Sequence, residues 1–346
     1  MSGNSAGNRI AVLGAGSWGT SLAISFARQS QNRVSLWCHR VEHAEEVSRH
    51  RENRRYLPGH ALPDSLAVTS DADTALTQAE WIVCAIPSQY LRERFSALAP
   101  KMTVRQAVIS ATKGLETGTH LRMTSLLAEC FVDERSRPAI GALSGPSFAA
   151  EVAQGQPTAV TVAFPELADA VRAQQALTSE TLRIYSSDDV TGVELGGALK
   201  NVMAIAAGLV TGLGLGYNST AALIVRGSAE MTRLAVAAGA RRETLAGLSG
   251  TGDLILTCTG ALSRNRAVGV ALAEGRPLAE ILAAMEGRVA EGVRTAEAAL
   301  ELAASLGIEM PITRQMQAIL RGERDPRTAM RELMQRPART EADSLD

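Results

Sequence analysis

Between Arg9 and Ala163, short apolar runs alternate with segments of helical periodicity. The runs are Arg9–Leu13, Val34–Trp37, Trp81–Ile86, Ala107–Ser110, Ala139–Leu143 and Thr158–Ala163. Runs of this length read as strands buried on both faces, and their alternation with helices predicts βαβ units and a mostly parallel sheet. From about Val190 the strand-like runs stop and Ala-, Leu-, Glu- and Arg-rich helical segments take over, for example Ala221–Ala238, Leu278–Met285 and Thr295–Leu306. The second half therefore reads as all helical. No linker rich in Pro or Ser separates the halves, so the boundary falls near Val190–Gly197, inside or just before a helix, and a cleft between closely fitted domains is expected. The expected division is a disordered leader over 1–8, a first domain over 9–193, a helical domain over 194–336 and a flexible, charged tail over 337–346.

Composition supports two domains and narrows the partners. At 346 residues the chain exceeds what one hydrophobic core usually organises. Apolar residues make up 46% but aromatic residues only 3%, so the interior is built from Ala, Val, Leu and Ile with close contacts at Gly. Lys and Arg total 35 against 36 acidic residues, a balance that provides no field for holding a polyanion and argues against nucleic acid. The four cysteines, Cys38, Cys84, Cys130 and Cys258, form no CxxC pair, which suggests neither a zinc site nor a disulfide framework and fits the cytoplasm. Met1–Asn8 has no basic segment followed by an apolar run, unlike a secretory signal. The uncharged stretch Val202–Val225 has the composition of a membrane span, but Gly208, Gly212, Gly214 and Gly216 followed by Tyr217, Asn218, Ser219 and Thr220 predict a break in its middle and no span.

The first motif with chemistry is Gly14-Ala15-Gly16-Ser17-Trp18-Gly19, which follows the strand Ile10–Leu13 and opens a helical segment over Thr20–Arg28. In that context Gly14 permits a tight turn, Gly16 lets backbone approach a pyrophosphate, and Gly19 lets the helix pack on the sheet. The pyrophosphate would sit on the helix N-terminus with Ser17 and Trp18 at the phosphates. About 20 residues on, where a carboxylate usually holds the ribose of NAD, the chain has His39 and Arg40. Arg40 can pair with a 2′-phosphate that a carboxylate would repel, so NADP(H) is expected to be preferred, with NAD(H) also usable. The competing reading makes Arg40 a solvated loop charge beside Glu42.

Further segments are too particular to be generic: Ala111-Thr112-Lys113-Gly114-Leu115-Glu116, Ser144-Gly145-Pro146-Ser147-Phe148-Ala149, Gly196-Gly197-Ala198-Leu199-Lys200-Asn201, Gly250-Thr251-Gly252-Asp253-Leu254-Ile255-Leu256-Thr257-Cys258, Ser263-Arg264-Asn265, and Val289-Ala290-Glu291-Gly292-Val293-Arg294-Thr295. With the glycine motif they resemble, in order from about Arg9 to Arg336, the bacterial NAD(P)-dependent glycerol-3-phosphate dehydrogenase family. That resemblance implies a Rossmann-type domain followed by a helical domain like that of 6-phosphogluconate dehydrogenase. It also implies a role in supplying the backbone of glycerophospholipids. Ala290 stands where valine is usual in the last motif, and no polar position of the family is changed.

Carried over position by position, the resemblance makes Lys200 the catalytic acid/base, in a site also lined by Lys113 and Asp253. A lysine partly desolvated beside a second cation has its pKa driven toward neutrality, which suits proton transfer in both directions. Lys113 would be that cation and would steady the alkoxide, while Asp253 would orient Lys200 and balance charge. The resemblance assigns Lys113, Gly145, Ser147, Lys200, Asp253, Ser263, Arg264 and Asn265 to the substrate. It assigns Lys113, Ala149, Arg264, Val289 and Glu291 to the cofactor, besides the glycine motif, His39 and Arg40. A small phosphate needs one forked cation and neutral donors, which Arg264 with the Ser and Asn side chains can supply. Ser263 can equally be a helix N-cap, and Glu291 an exposed loop glutamate.

No metal is implied, and a homodimer is compatible with this reading. Two rivals remain: a hydroxy-acid dehydrogenase of the same two-domain architecture, which fold alone could not exclude, and a non-catalytic NAD(P)H-sensing module. The first would need a site for a planar carboxylate, and the second would have no use for two lysines facing an aspartate.

Overall fold

The computed structural model describes residues 7–285, 290–337 and 340–341. Most of the expected leader and tail, and Val289 among the candidate cofactor contacts, lie outside the described residues. The chain divides into two compact units: Met1–Thr112, Thr124–Leu143 and Ser147–Val190 form the first, and Lys113–Met123, Ser144–Pro146 and Thr191–Asp346 the second. The continuous domain expected over 9–193 is thus interrupted by two excursions into the helical unit. Leu115, buried in the same hydrophobic cluster as Leu195 and Leu199, and the Arg122–Glu194 ion pair at 2.6 Å hold the first in the helical unit. The second is tied by Ser249, whose hydroxyl donates to the Ser144 carbonyl at 3.1 Å.

The first unit is built on an eight-stranded sheet: β1 (Arg9–Leu13), β2 (Arg33–Trp37), β3 (Ala67–Thr69), β4 (Trp81–Cys84), β5 (Ala107–Ser110), β6 (Ala139–Ser144), β7 (Thr158–Ala163) and β8 (Leu182–Ser187), in the order β3-β2-β1-β4-β5-β6-β7-β8. Strand β1 pairs in parallel with β2 and β4, with Leu13 opposite both Trp37 and Cys84. Ala11, Val12 and Leu13 have no solvent exposure at all, as a parallel strand covered by helices on both faces requires. Two strands fall outside the expected set. Strand β3 is only three residues long, and in β8 the buried Leu182 and Ile184 alternate with the exposed Arg183 and Tyr185, so neither makes a continuous apolar run.

In the second unit the described residues after Val190 contain helices and no strand. Its centre is the helix Val190–Gly212, predominantly apolar and buried from Gly192 to Val210, with Glu194, Lys200 and Asn201 as buried polar or charged exceptions. This helix has the length and hydropathy to cross a membrane, but that window is wholly enclosed by the protein. The predicted break follows at residues 213–216, with Gly214 at φ 70°, before the helix Tyr217–Ala237 begins.

Candidate active site

In the first unit the glycine motif closes the β1 end of the sheet. Gly14 sits at φ 109°, and a side chain there would also press on the carbonyl of Ala85 at 2.9 Å. A Cβ on Gly19 would collide with the Gly14 carbonyl, whereas one on Gly16 would enter open space. Two glycines therefore serve the fold and the third keeps a cradle clear. The helix Ser17–Ala27 begins three residues earlier than its periodicity suggests, so Ser17 and Trp18 lie in its first turn. That turn has neither a capping side chain nor an acidic residue, which leaves its amide donors and dipole for an anion. Trp18 Nε1 is buried without a hydrogen-bond partner among the described residues. Ala149, first residue of the helix Ala149–Gln154, is tied to this helix by its carbonyl, which accepts from the Ser21 hydroxyl at 2.7 Å.

His39 and Arg40 follow β2, which pairs with β1, and both are exposed. Arg40 occupies the N-cap position of the helix Val41–His50 without a side-chain capping bond, and forms no ion pair with Glu42 or any other described carboxylate. The His39 pKa is lowered, chiefly by partial burial and next by Arg94. The open glycine cradle, the uncapped helix and the unpaired Arg40 together fit a dinucleotide.

In the second unit, Lys113, Lys200 and Asp253 meet. Asp253 Oδ1 lies 2.6 Å from Lys200 Nζ and its Oδ2 2.7 Å from Lys113 Nζ. All three side chains are withdrawn from solvent, at 9%, 13% and 1% exposure for Lys200, Lys113 and Asp253. Lys113 Nζ also donates to the Gly145 carbonyl at 3.2 Å, and Lys200 Nζ to Thr257 Oγ1 at 2.7 Å. Burial pulls the Lys200 pKa down to about 8; Asp253 opposes that shift and Lys113 adds to it. Desolvation, rather than the second cation, is therefore the main cause, which corrects the emphasis read from the sequence.

Glycines let the backbone supply this packing. A Cβ on Gly196 would stand 2.5 Å from the Ser249 carbonyl oxygen, and one on Gly197 would collide with the Ser144 hydroxyl. Only glycine at both positions allows the π-helical turn Leu248–Gly252 and the Ser144–Pro146 segment to lie against the helix carrying Lys200. The same turn delivers Asp253 to the start of the helix Asp253–Thr259, where a carboxylate is favoured by the dipole.

Asn201 extends the cluster. Its Oδ1 accepts from Asn265 Nδ2 at 2.9 Å, Asn265 Oδ1 accepts from the Gly292 amide at 3.0 Å, and Asn201 Nδ2 lies 3.5 Å from Glu291 Oε2. Glu291 opens the helix Glu291–Ser305 and is half-buried, so it is not an exposed loop glutamate. Its pKa is raised by burial, against the pull of Arg264, Lys113 and Lys200. Arg264 is exposed and makes no hydrogen bond or ion pair among the described residues. Ser263 is the N-cap of the helix Arg264–Ala273, accepting from the Arg266 amide at 3.2 Å, so the capping alternative describes its local role. Ser147 lies half-buried in the first unit, before the helix Ala149–Gln154.

Comparison with known proteins agrees with both halves. The description "NAD-dependent glycerol-3-phosphate dehydrogenase N-terminus" matches residues 9–170, and its C-terminal counterpart matches residues 189–331. The chain belongs to the NAD-dependent glycerol-3-phosphate dehydrogenase family. It is 55% identical over 337 residues to the glycerol-3-phosphate dehydrogenase [NAD(P)+] of Acidobacterium capsulatum, covering 96% of this chain and all of that one. It is 50% identical to the protein of the same name from Koribacter versatilis, covering 96% and 99%. A crystal structure of glycerol-3-phosphate dehydrogenase from Coxiella burnetii superposes with a TM-score of 0.89 at 39% identity, over 96% of this chain and 100% of that one.

Within the glycerol-3-phosphate dehydrogenase match, two side chains that sequence reasoning left without a role join the site. Thr257 stands one helical turn after Asp253, on the same face, and donates to the Asp253 carbonyl at 2.6 Å while accepting from Lys200. The i, i+4 spacing within Asp253-Leu254-Ile255-Leu256-Thr257 was the available signal. Asn201 neighbours Lys200 in sequence but points a different way on the helix, toward Asn265 and Glu291.

Proposed function

We propose that the protein interconverts dihydroxyacetone phosphate and sn-glycerol 3-phosphate, with Lys200 as acid/base and the glycine motif holding the dinucleotide. The observation that carries this reading is the buried arrangement of Lys200, Asp253 and Lys113. NAD(P)H held by the glycine motif would supply the hydride. An ammonium on Lys200 has three N–H bonds, of which Asp253 Oδ1 and Thr257 Oγ1 take two. The third is left to deliver a proton to the oxygen of the ketone as it becomes an alkoxide. In the reverse direction a neutral amine keeps two N–H bonds for the same partners and turns its lone pair to the alcohol. One geometry thus serves both directions. Lys113, spending two of its protons on Asp253 Oδ2 and the Gly145 carbonyl, adds positive charge where the alkoxide develops.

Arg264 is assigned to the phosphate, because it is exposed and forms no ion pair among the described residues, with Asn265, Ser263, Gly145 and Ser147 completing the substrate contacts. Gly14, Gly16, Ser17, Trp18, Gly19, Ala149, Lys113, Arg264, Val289 and Glu291 are assigned to the cofactor. His39 and Arg40 are assigned to the ribose phosphate, favouring NADP(H) over NAD(H). The cofactor is expected over the carboxyl ends of the parallel strands. Free thiols at Cys38, Cys84, Cys130 and Cys258 support a reducing compartment, the cytoplasm, with the product serving glycerophospholipid synthesis.

The deciding experiment follows NADPH and NADH oxidation with dihydroxyacetone phosphate, pyruvate and a keto sugar acid in parallel. Turnover with dihydroxyacetone phosphate alone is expected. Preference for pyruvate or the sugar acid would overturn the substrate, and tight cofactor binding without turnover would return the sensing module.

A further inference from the structure

Asn53 is completely buried, and all of its hydrogen-bonding capacity is spent at the glycine motif and its surroundings. Its Nδ2 donates to the Ala15 carbonyl at 2.9 Å and to Thr20 Oγ1 at 2.8 Å. Its Oδ1 receives the Tyr56 amide at 3.3 Å and lies 3.1 Å from His43 Nε2. The Ala15 carbonyl can only accept, which fixes Nδ2 on that side, leaves Oδ1 toward His43 and makes His43 Nε2 the donor. Ala15 and Thr20 bracket Gly16, Ser17, Trp18 and Gly19. A single side-chain amide therefore clamps the loop on one side of the open cradle and the helix on the other.

The other half of the contact ties in a second segment. His43 belongs to the helix Val41–His50, whose N-cap position Arg40 occupies, and its ring meets Tyr56 edge to face at 5.3 Å. The backbone beside Asn53 is itself fixed. Arg51 ends that helix at φ 50° and donates to the Leu66 carbonyl at 3.0 Å, while Glu52 Oε1 accepts from the Gly59 amide at 2.7 Å. Asn53 is thus the node at which the pyrophosphate loop and the segment carrying His39 and Arg40 are joined.

We propose that Asn53 is a positioning residue for the dinucleotide: it sets the spacing between the glycine cradle and the Arg40 helix without touching the ligand. This rests on the cofactor reading given above. Aspartate offers no donors to Ala15 and Thr20, and alanine leaves both of those groups and the His43 donor unpaired in the interior.

The test measures dissociation constants of NADPH and NADH by tryptophan fluorescence, with Tm and steady-state kinetics, on the full chain and its variants. Asn53→Ala and Asn53→Asp are expected to weaken both cofactors about tenfold or more, with kcat at saturating cofactor within about twofold of wild type. Thr20→Val, which removes one of the bonds, should weaken them about threefold. Phe95→Leu, in the buried Phe95–Phe131 pair of the same unit, controls for stability and should lower Tm without changing either constant. Unchanged constants in the Asn53 variants, or an equal weakening in Phe95→Leu, would overturn the proposal. If Asn53→Ala does not fold, Thr20→Val decides, and unchanged binding there overturns it. Wild-type protein that bound neither cofactor would overturn the dinucleotide reading and this inference with it.

Discussion

Lys200 Nζ stands 2.6 Å from Asp253 Oδ1, with 9% and 1% of the two side chains exposed. A buried ion pair is weak evidence for stability, since desolvating both charges costs about as much as their attraction returns. Its retention in an apolar helix is better explained by chemistry. Lys200→Ala is expected to lower kcat by about 10²-fold to 10⁴-fold, the usual contribution of a general acid/base, while leaving the NADPH dissociation constant close to wild type. Near-normal turnover would remove Lys200 from the role and make Lys113 the next candidate.

The Lys200 pKa of about 8 makes the two reaction directions respond oppositely to pH. Reduction of dihydroxyacetone phosphate needs the ammonium, so its kcat/KM should be level below about 8 and fall as pH rises through that value. Oxidation of glycerol 3-phosphate needs the amine, so its kcat/KM should climb over the same interval and level off above it. An ordinary lysine would place both limbs near 10.5. Profiles in both directions, at a pH-independent cofactor concentration above its KM, check this.

Cofactor preference is tested at Arg40. Because the residue is exposed and unpaired, its contact with a 2′-phosphate belongs at the weak end of charge-assisted pairs. Arg40→Asp should shift the NADPH to NADH ratio of kcat/KM by roughly tenfold or more toward NADH, since the variant adds repulsion to the loss. An equal effect on both cofactors would sink the phosphate contact.

How far the sequence carried the site depended on whether the signal was local. The glycine motif was readable because Gly14, Gly16 and Gly19 act through the few residues around them. Lys113, Lys200 and Asp253 were named as a set, but only the fold brings together side chains 87 and 53 residues apart, and the dominance of desolvation over the Lys113 charge depends on burial that spacing does not encode. Thr257 was missed because a threonine one turn after an aspartate is ordinary until the lysine opposite is known. Strand β8 was missed because half of its residues face outward. The excursion of residues 113–123 into the helical unit is held by Leu115 in the helical core and by the ion pairs of Lys113 with Asp253 and Arg122 with Glu194, contacts whose destination is a tertiary fact.

Phosphate recognition is expected to separate from proton transfer at Arg264. This side chain is exposed and forms no ion pair among the described residues, and its charge is the first of those that oppose the rise of the Glu291 pKa. Arg264→Ala should raise the KM for dihydroxyacetone phosphate by at least about tenfold, the loss of a charge-assisted contact, and leave the pH position of the Lys200 limb nearly in place. A variant whose KM is unchanged would move the phosphate site elsewhere.

The two neighbours of Lys200 act on it with opposite sign, and that gives the most discriminating test of the cluster. Asp253 holds the ammonium form by its negative charge and hydrogen bond, whereas Lys113 disfavours it by like-charge repulsion, both against the larger effect of burial. Lys113→Met removes only the repulsion, so the pH limb should move upward from about 8, with kcat reduced because the alkoxide loses a cation. Asp253→Asn removes the attraction and leaves two lysines facing a neutral amide, so the limb should move downward. That variant should also be destabilised by about 3 to 5 kcal/mol, because buried positive charge loses its counter-ion. Its thermal stability must therefore be read beside its kinetics, and a stabilising ligand used to keep it folded if needed. Limbs that move in the same direction in both variants would mean that Lys200 is not the group titrating, because no single neighbouring lysine can feel the loss of a cation and the loss of an anion alike.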